Sequence, residues 1–124
     1  MNFEETIAGL QPLFERHNFK VIEKGEGLIH FQSDLVSARF GYDWRDNSIS
    51  FFIGKINGPK SEINDKNLKD VFNHVKDDNS HQSYLQNMLE FLNGNGKSLL
   101  IGDETKLTEL EDYDSKQAEI YTAN

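Results

Sequence analysis

The sequence has no cysteine, only two prolines and a single tryptophan. It is also short of positive charge: 13 Lys and Arg stand against 21 Asp and Glu, a formal net charge of −8. Without Cys there is no disulfide scaffold, no thiolate metal site and no cysteine nucleophile. The deficit of cations argues against broad contact with a phosphate backbone, so no nucleic-acid partner is expected. No apolar run approaches the roughly 20 residues that span a bilayer, so no membrane partner is expected either. The opening Met1-Asn2-Phe3-Glu4-Glu5 has acids where a secretory signal has bases, and no Gly follows Met1 for myristoylation. Tyr121-Thr122-Ala123-Asn124 is no prenylation box. Together these features predict a cytoplasmic protein. What is plentiful is Phe, nine in 124 residues. That is too much apolar material for a disordered acidic chain, and the length suits one domain, residues 1–124.

The hydrophobic pattern changes period along the chain. Phe3, Ile7, Leu10 and Phe14, widened by Leu13, form one helical stripe. Pro12 lies inside it and predicts a kink or a break, and Asn18 reads as the stop. Four short β patterns follow: Phe19 to Ile22, Leu28 to Ser33, Val36 to Asp43 and Ser48 to Gly54. Apolar residues alternate with polar ones in the last three, the mark of an antiparallel sheet with one covered face. The short links rich in Gly, Asp and Asn predict a meander. Ile56 to Lys60 ends the sheet region. Leu68, Val71, Phe72 and Val75 then return to helical spacing, with Asn64 or Asp65 as N-cap. Leu85, Met88, Leu89 and Leu92 make another stripe, Leu99-Leu100-Ile101 a short turn, and a last helix runs from about Asp103 to Tyr121. The predicted class is α+β: an N-terminal helix, a four-stranded antiparallel meander, then three to four helices packed on one face.

Several constellations touch on chemistry. Gly94-Asn95-Gly96-Lys97-Ser98 ends like a P-loop, but the motif needs Gly where Phe91 stands and must follow a strand, so a turn between helices is expected. His74, Asp77, Asp78 and His81 stand at i, i+3, i+4 and i+7 and would share a face of one continuous helix. Asp77-Asp78-Asn79-Ser80 reads instead as a helix end, so no metal is expected. His17 and His30 belong to no Gly-x-Ser-x-Gly elbow. Asp34 and Asp43 fall in turns, where Asp bonds its own backbone. No catalytic residue and no cofactor emerge. Two partner-binding candidates do. Tyr42-Asp43-Trp44-Arg45-Asp46-Asn47 sets the only Trp beside an Arg at a hairpin tip, and these residue types are enriched at binding hot spots. Residues 103–124 hold seven acids and two lysines, net −5, among them Glu109, Glu111, Asp112 and Asp114. Such a surface complements a basic partner.

Val36 to Ile53, with Tyr42-Asp43-x-Arg45 and Ile49-x-Phe51-x-Ile53, followed by Leu99-Leu100-Ile101-Gly102-Asp103 and Leu107-x-x-Leu110, resembles a group of small bacterial α+β proteins. Some of that group are described as immunity proteins of toxin systems. The resemblance covers most of the chain, and its motifs are structural. It implies a bacterial, non-enzymatic protein that binds a toxin domain, possessing no active-site residues to carry over. Two alternatives differ in class: a homo-oligomeric structural or regulatory subunit, and a small-molecule binder or enzyme with Phe51, Phe52, Tyr84 and Phe91 around a pocket between sheet and helices.

Overall fold

A computed structural model describes residues 3–74 and 83–123. Helix α1 (Phe3–Arg16) buries Phe3, Ile7, Leu10, Leu13 and Phe14 on one side. It runs unbroken through Pro12, where a kink or break was expected. Pro12 itself is exposed, while Leu10, Leu13 and Phe14 around it are buried. Packing of that stripe outweighs the one backbone hydrogen bond the ring removes. Asn18, at φ 67°, turns the chain out of the helix, and the Phe19 amide closes back on the Phe14 carbonyl at 3.0 Å.

The sheet has five strands in the order β1 (Lys20–Gly25), β2 (Leu28–Gln32), β3 (Val36–Asp43), β4 (Ser48–Lys55) and β5 (Ser61–Glu62), each antiparallel to the next. The meander agrees with the sequence pattern, and the strand count of four is corrected to five. β5 holds two residues, too few to display alternation, and follows Gly58-Pro59, which reads as a stop. β1 is an exposed edge with a bulge between Val21 and Glu23.

Strand register sorts the side chains. Ile29, Phe31, Ala38, Phe40, Phe51 and Ile53 are buried on one face. Phe14 stacks on Phe31 with ring centroids 4.6 Å apart, and Phe40 stacks on Phe51 at 4.4 Å. The aromatic contacts between Phe14 and Phe40 are edge-on, which extends the cluster from α1 across β2, β3 and β4. The helices join the same core through Phe91, Leu92, Leu99, Leu100, Leu107 and Leu110. Residues of the other parity, Glu23, His30, Arg39, Phe52 and Glu62, oppose one another in a single cross-strand row on the open face.

Four helices follow the sheet. α2 (Asp65–Asp70) is capped by Asn64, whose side chain accepts from the Asn67 amide while the Asn67 side chain accepts from the Asn64 amide, both at 2.9 Å. It ends at Asp70, before the expected stripe is complete; Val75, the last position of that stripe, lies outside the described residues. Val71 and Phe72 are buried in the turn that follows, so a turn meets the apolar spacing as well as a helix would. α3 (Tyr84–Asn93) is capped by Ser83 with Gln86. α4 (Lys97–Ile101) ends at Gly102, which takes φ 77°. Gly94 to Gly96 is the turn between α3 and α4, as the failed P-loop match requires. α5 (Glu104–Ala123) buries Leu107 and Leu110 and is half exposed beyond them. No helix among the described residues is long and apolar enough to cross a membrane.

Candidate functional site

The β3–β4 hairpin tip is built as a tight turn. Asp43 Oδ1 accepts from the Arg45 amide at 3.0 Å, and both carboxylate oxygens lie 3.3 Å from the Arg45 guanidinium. These bonds hold the Asp43 carboxyl below the usual carboxylate range. Ser48 Oγ donates to Asp46 Oδ1 at 2.6 Å, and the Tyr42 hydroxyl donates to Asn47, whose φ of 55° closes the turn. Tyr42 is anchored below by a ring stack with Phe3. Trp44 projects from this braced tip and is 80% exposed. It does not fold back onto the sheet edge. Arg45 is paired within its own turn and still faces solvent.

Below the tip, the open face carries a trough of about 590 Å³ lined by Gly27, Gly41, Asp43, Trp44, Ser50 and Phe52, among others. Arg39 lies two residues before Gly41 on the same face and is exposed. Its cross-strand neighbours are His30 and Phe52. No carboxylate among the described residues pairs with Arg39. His30 Nε2 is hydrogen-bonded to the Ser37 hydroxyl. Burial first, and then Arg39, hold the His30 imidazole below its usual value; Glu23 pulls it up, and Lys60 adds the smallest downward push. The Lys60 ammonium donates to the carbonyls of Lys55, Ile56 and Gly58. Burial first, and then Arg39, push it down, while Glu111 pulls it up.

The acids of α5 divide between two flanks. Glu111 and Glu104 border a cleft of about 600 Å³ with Asp34, Leu35 and Gly58. Lys55 sits between them with Nζ 4.0 Å from each carboxylate and 2.8 Å from Thr108 Oγ1. Glu109 and Asp112 border a different depression beside Asp70 and Lys116. Glu109 pairs with Lys106 at 2.7 Å. Asp112 is exposed and Asp114 is half-buried. Tyr113 donates to Asp70 at 2.6 Å, a bond that raises its phenol to about 12 and ties α5 to α2.

Phe51 and Phe91 are in the packed core, Tyr84 rests against it, and Phe52 lies on the opposite side of the sheet, so the four do not enclose one pocket. His74 packs edge-on against Phe91, while Asp77, Asp78 and His81 lie outside the described residues. Among the described residues no three His, Asp or Glu side chains cluster for a metal ion. His17 Nδ1 bonds the Leu13 carbonyl at the end of α1. Sequence reading missed Arg39 and Gly41. Their shared parity on β3 was legible, but neither stands out until the register brings Phe52 and His30 alongside. No family model, no curated protein and no solved structure matches the chain.

Proposed function

We propose that this chain is a non-enzymatic protein-binding module whose contact is centred on the hairpin tip at Trp44 and Arg45. One observation carries the reading: the only Trp is 80% exposed on a turn braced by its own hydrogen bonds. An exposed Trp on a mobile tip would lose entropy on binding. On a braced tip that cost is already met, and a large apolar area is ready for burial. The resemblance to immunity proteins makes a toxin domain the first partner to examine. For a basic toxin, the net negative charge of residues 103–124, with Asp112 exposed, supplies long-range attraction. Cytoplasmic residence belongs to the same reading.

Photo-crosslinking tests it. A crosslinking amino acid at position 44, compared with one at the exposed Glu90 on α3, should trap a protein adduct from position 44 alone. Equal adducts from both positions, or none from 44, would remove the hairpin tip as the contact. The exposed strand β1, which carries Val21 and Ile22 at an edge that no further strand covers among the described residues, favours a second reading as a homo-oligomeric subunit. Its bulge disfavours edge pairing, and a concentration-independent monomer mass in sedimentation would end that reading.

A further inference from the structure

Gly41 is an anomaly in the middle of β3. Glycine weakens a strand interior, and there it often marks a bulge, a tight bend or the close approach of a ligand or another backbone. Gly41 is paired in regular register with Leu28 and Ser50, so no bulge needs it. Its φ is not positive, and a Cβ at this position would meet nothing within 4 Å. Neither the backbone nor a neighbour requires the missing side chain. Its absence leaves the floor of the trough between Trp44 and Phe52 open.

The second anomaly is Arg39. It shares the face of Gly41 at the i, i−2 position, about 7 Å away along the strand. It is exposed and makes no ion pair with a carboxylate among the described residues; His30 and Phe52 flank it in the cross-strand row, with Glu23 and Glu62 one strand further out on either side. A guanidinium in that setting complements an anion, and its planar fork matches a carboxylate.

We propose that the open sheet face between Arg39 and Trp44 seats an extended segment of the partner protein that carries an Asp or Glu two residues from an apolar or aromatic side chain. The carboxylate pairs with Arg39. The apolar side chain enters the trough over Gly41, between Trp44 and Phe52. The spacing follows from geometry: side chains at i and i+2 of an extended chain point the same way and repeat at the same interval as Arg39 and Gly41. This inference rests on the protein-binding reading above and names the chemistry the partner presents.

Trp44, as the only Trp, reports on the trough directly. The probe is a set of linear eight-residue peptides with Glu and Phe at spacings of one, two and three, titrated to millimolar while Trp44 emission is followed. The peptides with spacing two are expected to shift the emission to the blue. Gln in place of the peptide Glu, or Arg39→Gln in the protein, should weaken binding about tenfold. Gly41→Val should abolish the shift without lowering Tm, because the new side chain fills the trough and suits a strand. The proposal is overturned if no peptide shifts the emission, if spacing does not matter, if Gly41→Val binds as the native protein does, or if single-stranded poly(U) competes better than any peptide. The two readings separate cleanly. A partner crosslinked from position 44 that still binds Gly41→Val and Arg39→Gln sustains the hairpin contact and sinks the trough.

Discussion

Trp44 and Phe14 are both large aromatics, and the structure assigns them opposite roles. Trp44→Ala removes a side chain already in water, so unfolding free energy in urea should change by less than about 0.5 kcal/mol. Phe14→Ala opens the centre of the ring cluster and should cost about 3–5 kcal/mol in the same titration. His30 gives a pH prediction. Its folded-state pKa lies below 6.5, so the unfolded chain takes up the proton first as pH falls. Its contribution is therefore intact above pH 6.5 and is lost as pH drops from there toward the folded value. NMR should show the ring titrating below 6.5, and His30→Gln should flatten that part of the stability profile. At this scale the sequence made Trp44 legible through its rarity and its turn. The pocket with Phe51 and Phe52 together was misread, because adjacent residues of a strand point to opposite faces.

Elements were legible where a period had room to repeat. α1, β2, β3, β4 and α3 each carry enough residues for the pattern to speak. β5 and the end of α2 were not legible, because two residues have no period and a turn can bury Val71 and Phe72 as a helix does. What fixes that region is Asn67, fully buried, which caps Asn64 and also donates to the Glu62 carbonyl at 2.7 Å. Asn67→Ala strips partners from two backbone groups and should destabilise by about 2–3 kcal/mol, read as a lower urea midpoint. Pro12 runs the other way. Within an intact helix and facing solvent, it withholds a hydrogen bond, so Pro12→Ala should stabilise by about 1–3 kcal/mol. An unchanged midpoint would mean α1 has already adapted around the ring.

For the whole molecule, the charge of −8 reads differently once its carriers are placed. Residues 103–124 hold most of it, yet Glu111 turns toward Lys55 and Glu109 toward Lys106, so no single acidic face presents all four candidate carboxylates. Trp44, the most exposed large apolar side chain among the described residues, lies elsewhere, on the braced hairpin at the rim of the open sheet face. Binding concentrated there must weaken when Trp44 is lost. Calorimetric titration of the crosslinked partner, once purified, against native protein and Trp44→Ala measures that loss. A hot-spot loss of at least about 2 kcal/mol, a Kd weakened roughly thirtyfold at unchanged Tm, is the predicted result. A Kd within twofold of the native value would contradict it.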